Sequence, residues 1–240
     1  MIIGVFIAVV ILGYLLGSIP FGWLLTRRCV GVDVRQHGSG KIGMTNVLRT
    51  AGKKVAAAVF VLDLLKGMLA VVLAGLIVGK GHLVVGGFGL GILLVQVMAA
   101  LAAVAGHNWS VFLKFKGGRG VVTYFGGLVA LFPPAAIFGA EIFALGTGLT
   151  RYASIGSIVG VVSTYIILVP LTILHGFPIE YLVYSFIGTV VIILMHRDNI
   201  VRLMSGKERR LGDEVGSESI PLSTLTSSRG RQRPQTKRTG

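Results

Sequence analysis

The sequence predicts an all-α, polytopic membrane protein, and three observations carry that prediction. Hydrophobic residues make up 53% of the 240-residue chain and charged ones 13%, against about 45–50% and about 25% in soluble domains. Residues 1–26, 81–113 and 153–176 contain no Asp, Glu, Lys or Arg, and each run exceeds the roughly 20 residues a helix needs to cross a hydrocarbon core. The third observation is charge placement: 23 Lys and Arg oppose 9 Asp and Glu, with the basic residues between the apolar runs and in the C-terminal tail.

Taken in order, residues 1–25 form a first span. No basic stretch precedes it and Arg27 and Arg28 follow it, which argues for a retained anchor with an external N-terminus rather than a cleaved secretory signal. Further apolar runs cover residues 55–78, 83–105, 121–149, 153–175 and 178–195. Six spans would separate two basic segments, residues 27–54 with seven Lys and Arg and the tail from His196 with ten. The positive-inside bias places both in the cytoplasm, which requires an even number of crossings between them. Pro133 and Pro134 resolve the conflict, because two adjacent prolines remove two backbone donors and break a helix. The run becomes a hairpin of residues 121–132 and 135–149.

The expectation is therefore seven transmembrane helices, an external N-terminus, a cytoplasmic C-terminus and cytoplasmic loops at residues 27–54, 106–120 and 150–152. External connections reduce to residues 79–82, the diproline turn and residues 176–177. Residues 1–212 constitute the transmembrane domain, and residues 213–240 a disordered basic tail, too polar to bury a core, whose expected job is weak attachment to anionic lipid. The single cysteine, Cys29, excludes an internal disulfide framework and a Cys-rich metal site.

Two cytoplasmic loops carry unusual chemistry. In the first, glycines at 38, 40 and 43 sit among Ser39, Thr45, Asn46 and Arg49, short polar groups and a bidentate fork around backbone that can take positive φ. That composition suits phosphate, and it equally suits a glycine-rich turn capped before a helix. The second loop runs from Gly106-His107-Asn108-Trp109 to Lys116-Gly117-Gly118-Arg119-Gly120. It can cluster with the first, and the helix after it aims its N-terminal amides the same way; the competing reading is a positive-inside flank with Trp109 as interfacial anchor. His196 and Asn199 leave the last span one helical turn apart, as a site pair or as ordinary polar residues at a helix end. Asp63 and Lys66 are three apart within the second span, able to pair with each other or with loop groups.

These segments, with Gly17-Ser18-Ile19-Pro20-Phe21-Gly22, Asp63-Leu64-Leu65-Lys66-Gly67 and Gly206-Lys207-Glu208, together resemble the bacterial acyl-phosphate:glycerol-3-phosphate acyltransferase family, over roughly residues 4–212. Lys41 stands where that family usually has Asn, and Arg119 where it usually has Lys. The resemblance implies a seven-helix inner-membrane enzyme whose active site faces the cytoplasm. It would transfer a fatty acyl group from acyl phosphate to the 1-hydroxyl of sn-glycerol 3-phosphate, giving lysophosphatidate and phosphate for phospholipid biosynthesis.

By the same resemblance, Ser39, Arg49, Lys116, His196 and Asn199 are the expected catalytic residues. Gly38, Gly40, Thr45, Asn46, Gly117, Gly118, Arg119, Gly120, Ser154 and Glu208 are expected to bind substrate. No cofactor, metal or nucleic acid is implied. The expected partners are the two substrates, the bilayer and the enzyme that makes acyl phosphate. The competing class is a transporter of an anionic phosphorylated solute, against which stand the lack of an internal repeat and the crowding of polar groups on one surface.

Overall fold

The computed structural model describes residues 2–79, 83–85 and 88–212. Nine helices account for most of these residues: α1 (Ile2–Ser18), α2 (Phe21–Val30), α3 (Met44–Val78), α4 (Ile92–Asn108), α5 (Val121–Leu131), α6 (Pro133–Thr150), α7 (Ala153–His175), α8 (Ile179–Met195) and α9 (Arg197–Met204). A short antiparallel hairpin, β1 (Leu83–Val85) with β2 (Phe88–Leu90), precedes α4.

Among the described residues, four stretches are long and apolar enough to cross a membrane: Ile3–Val30, Met44–Val78, Ile92–Leu113 and Ala153–His175. A fifth arises if α8 and α9, bent by 57° about His196, count as one span. The protein is a multi-pass, helical membrane protein. The first span breaks at Ile19-Pro20, where proline cannot continue the helical hydrogen bonding. In α3 the helix begins at Met44, well before the expected start at residue 55, and kinks at Gly52, whose φ of 81° is open to glycine at little cost.

The expected third span, residues 83–105, is corrected: Leu83–Val85 and Phe88–Leu90 pair as strands and the helix runs from Ile92 to Asn108. Glycines at 86, 87, 89 and 91 explain the difference, since each costs about 1 kcal/mol in a helix interior. Residues 80–82, expected as an external connection, and the tail 213–240 lie outside the described residues.

The diproline break stands where expected, with Phe132 out of helical conformation and Pro133 opening α6. Arg119 before α5 and Ala153 after α6 line one cavity, so the hairpin returns to the face from which it left. At about 1.5 Å per residue, the 11-residue α5 is only about 16 Å long, and most of it is buried inside the bundle.

Close helix approach relies on small residues, as expected where lipid offers no hydrophobic drive. Gly13 and Gly17 of α1 lie against the backbone of Ala99 and Ala103 in α4, Gly67 of α3 against Thr123 in α5, and Gly139 of α6 against Gly160 in α7. A buried polar cluster ties α5, α7 and α8 together: Tyr184 donates to the Tyr124 carbonyl at 2.8 Å, and the Tyr124 hydroxyl meets Thr164 at 2.5 Å and Ser185 at 3.2 Å.

Candidate active site

The site is built at the ends of four helices. Thr45 near the start of α3, Ala153 and Ser154 opening α7, and Asn199 in the first turn of α9 line one cavity of about 160 Å³. A smaller adjoining cavity of about 70 Å³ takes in Gly120 and Val121 at the start of α5. Helix N-termini present unpaired amides and the positive end of the dipole, so this convergence favours an anion. Arg49, Arg119, Arg202 and Arg209 also line the larger cavity, with Glu208 as its carboxylate.

Loop one is held from within. Asp33 accepts from the Arg35 guanidinium at 2.6 and 2.9 Å and from the Trp23 indole at 3.2 Å, and the Arg35 hydrogen bonds hold its carboxyl well below the usual carboxylate range. Asn46 is 2% exposed. Its amide donates to the carbonyls of Val34, His37 and Lys41 at 2.8–3.0 Å, while its oxygen accepts from the Ser39 N–H at 3.0 Å. Gly38 passes against that oxygen at φ 59°, where a Cβ would collide with it. Asn46 was expected to bind substrate; every polar atom it has is spent on the loop, so it shapes the curl that presents Ser39.

Loop two divides its cations. Lys114 and Phe115 both take positive φ, 52° and 61°, and the chain reverses there. Gly117 and Gly118 then donate back to the Asn108 and His107 carbonyls at 3.0 and 2.9 Å. Arg119 enters the cavity, whereas Lys116, expected to be catalytic, lines a separate groove with Gly117 and Gly40. Gly118 was expected at the substrate; its open side is filled by the His107 ring. Burial pushes the Arg119 guanidinium down to about 10, which leaves it charged at neutral pH, and among the described residues its Nε has no hydrogen-bond partner.

Just past α8, His196 is 1% exposed. Its Nδ1 lies 2.8 Å from the Ile192 carbonyl, an acceptor, so Nδ1 carries the proton and Nε2 is left as the acceptor in the neutral ring. Burial, then the nearby Arg119 charge, push His196 down to about 4. Glu208 accepts from Ser154 at 2.8 Å, Asn199 at 2.5 Å and Arg202 at 2.8 Å. Burial works against its charge, but these three donors hold its pKa below the ordinary value. Glu208, expected to bind substrate, lines the cavity and is the hub that fixes those three donors.

Gly38, Ser39, Thr45, Arg49, Arg119, Ser154, His196, Asn199 and Glu208 are thus brought to one cavity. Sequence reasoning missed Arg202, Arg209 and Ser157, which also line it. The Gly206-Lys207-Glu208 segment was the available signal for the first two, because it brings the chain back over the pocket. Arg49 donates to the Arg209 and Arg210 carbonyls at 3.2 Å, and Leu211 pairs with Arg151 through N–H···O of 2.7 Å and a return bond of 2.9 Å.

Beside the smaller cavity, Lys66 bridges Asp63 at 2.8 Å and the Ile19 carbonyl at 3.0 Å, at the broken end of α1. His107 Nδ1 stands 3.6 Å from the same carboxylate. The Asp63–Lys66 pair therefore locks α3 to α1 and to the base of loop two.

These features define a class first: a multi-pass membrane protein with a cationic pocket, gathered from helix N-termini and arginines, that suits a phosphorylated substrate. The chain belongs to the glycerol-3-phosphate acyltransferase family, whose model matches residues 7–206. It is 56% identical over 214 residues to glycerol-3-phosphate acyltransferase 3 of Dehalococcoides mccartyi, covering 89% of this chain and 99% of that one. With the glycerol-3-phosphate acyltransferase of Rhodopseudomonas palustris it shares 43% identity over 88% of this chain and 99% of the relative. The crystal structure of PlsY (YgiH), an integral membrane glycerol 3-phosphate acyltransferase, in its glycerol 3-phosphate form superposes with a TM-score of 0.75 at 35% identity, covering 92% of this chain and 98% of that one. Its lysophosphatidic acid form gives 0.73, covering 86% and 95%.

Proposed function

We propose that this protein transfers a fatty acyl group from acyl phosphate to the 1-hydroxyl of sn-glycerol 3-phosphate, releasing lysophosphatidate and inorganic phosphate. The observation that carries the reading is a neutral His196, with Nε2 as acceptor, in one cavity with Arg49 and Arg119. Acyl phosphate is an activated mixed anhydride, so the needs are to position the hydroxyl and to neutralise the leaving phosphate. The glycerol oxygen forms the new ester bond at the acyl carbon as the bond from that carbon to the phosphate oxygen breaks. The hydroxyl proton passes to His196 Nε2 or to the substrate's own phosphate, and the arginines with Ser39 and the helix amides take the developing charge. Asn199, held by Glu208, orients the hydroxyl.

The same proposal includes topology. Seven crossings, counting α5 and α6 as a hairpin, put the N-terminus outside and the site on the cytoplasmic face of the inner membrane, with residues 1–212 as the catalytic domain. The return of the hairpin to its own face supports this orientation at any depth that Phe132 reaches.

The deciding experiment follows phosphate release from palmitoyl phosphate by the purified protein. Release that needs glycerol 3-phosphate and collapses in Arg49→Ala supports the proposal. No release, and no transfer from acyl-CoA, would overturn it and send the question to anion flux in liposomes. Exposed Cys29 tests the topology: a membrane-impermeant maleimide should label it in opened but not in intact cells, and labelling from outside would reverse the orientation.

A further inference from the structure

Two histidines line the smaller cavity beside Arg119, His196 and His107. His196 is the proposed proton acceptor, and His107 is placed like a second one. It lies in the last turn of α4, 3% exposed, and its Nδ1 faces Asp63 Oδ1 at 3.6 Å. Lys66 holds that same oxygen at 2.8 Å, so the carboxylate is a fixed point on α3. Among the described residues Nδ1 has no hydrogen-bond partner, and a buried N–H turned towards a carboxylate meets favourable charge.

The other ring nitrogen is where a base would act, and the loop occupies it. Nε2, with Cδ2 and Cε1 on either side, fills the space that a Cβ on Gly118 would take. The His107 carbonyl also accepts from the Gly118 N–H at 2.9 Å. Loop two therefore rests on His107 twice, by backbone and by ring, at the residue immediately before Arg119. Arg119 in turn reaches both cavities, and among the described residues its Nε has no hydrogen-bond partner. A long side chain without that anchor takes its position from its backbone, so whatever sets the height of residue 118 sets where the guanidinium stands.

We infer that His107 is a positioning residue for Arg119, its ring held by Asp63 and bearing the loop at Gly118, and that it takes no proton from substrate. The inference rests on the acyltransferase reading, in which Arg119 neutralises substrate phosphate. It also separates the two histidines: His196 keeps Nε2 as its acceptor in the cavity, whereas His107 turns that nitrogen into the loop.

The test is a pair of double-variant cycles in the full-length protein in lipid, read as kcat/KM for glycerol 3-phosphate with palmitoyl phosphate as donor. His107→Ala should cost about tenfold in the wild-type background and less than about twofold in Arg119→Ala, because a residue acting through Arg119 has nothing left to act on. Gly118→Ala should cost about tenfold alone and less than about twofold beside His107→Ala, since loss of the ring makes room for the methyl. His107→Gln, which keeps a donor to face Asp63, should recover part of the loss with the wild-type pH profile, and it carries both cycles if the alanine variant does not fold. Equal losses in both backgrounds, no loss in His107→Ala, or a limb of the pH profile missing in His107→Gln would each overturn the inference. Failure of both His107 variants to fold would overturn it too, by making the ring a structural group. An inactive wild type would instead sink the acyltransferase reading, so the two failures are distinguishable.

Discussion

Loop one and loop two look alike in sequence, each a glycine-rich run with cations, yet they serve the pocket in different ways. Loop one is tied from inside by Asn46, which spends its whole amide on loop backbone so that Ser39 faces the cavity. Loop two sends in a long side chain: its backbone is pinned to His107 and Asn108, and Arg119 alone of its cations reaches the arginine-lined cavity. The backbone turn of loop one contributes shape, its cation Arg49 standing on α3, and loop two contributes charge through Arg119. Glycine in a phosphate-binding loop is thus ambiguous evidence, since in loop two Gly117 and Gly118 serve packing against neighbouring residues.

The sharpest way to break this comparison is Arg119→Ala. It removes a buried charge that lines the cavity, and kcat/KM for glycerol 3-phosphate should fall at least about 100-fold, or about 2.7 kcal/mol. Arg119→Lys should recover part of the loss, because it keeps charge but loses the fork.

Next comes Asn46→Ala, which leaves three carbonyls and one N–H without their partner. Each unsatisfied buried group costs about 1–3 kcal/mol, so thermal unfolding in detergent should move down by several degrees with activity lost alongside. An Asn46→Ala protein as stable as wild type would refute the structural role assigned to loop one.

Gly118→Ala should follow with about a tenfold loss of activity at unchanged charge, since the added methyl displaces the His107 ring. Lys116→Ala should have the smallest effect on glycerol 3-phosphate, within about twofold in KM. A large effect there would erase the distinction between the two cations of loop two.

His196 sharpens the chemical side. With its value lowered to about 4, the ring is already neutral throughout the range from about 5 to 8, and protonation sets in only as pH falls towards 4. Nitrogen-detected NMR of the imidazole should therefore show no midpoint near 6.5 in the unliganded protein. Glycerol 3-phosphate, a nearby anion, should raise the midpoint. His196→Ala with unchanged turnover and pH profile would assign the proton to the substrate's own phosphate.

Much of this arrangement was legible in the sequence. The diproline break and the apolar runs are local or additive signals, and Ser39, Arg49, His196, Asn199 and Ser154 do meet at one cavity. The facing of Lys116 and Arg119 was not legible. It depends on two non-glycine residues, Lys114 and Phe115, in left-handed conformation, a choice made by the contacts of the folded loop and not by local propensity. Asn46 hid in the same way: an amide beside a glycine-rich turn reads as a ligand-binding group until its partners are known. The β1–β2 hairpin, by contrast, was announced by its glycines, and hydropathy concealed it because apolar composition is shared by spans and strands.

The Leu211–Arg151 pairing has a consequence for chain length. Residues 205–211 are strapped to the start of α7, and Glu208 within that strap holds Ser154, Asn199 and Arg202. Stepwise trimming from the C-terminus should therefore show a threshold: removal up to Gly212 leaves the strap its anchor, loss of Leu211 unties it, and loss of Glu208 releases three pocket groups together. The activity of such a truncation series would read as a step, and the position of the step would mark the last residue that belongs to the pocket.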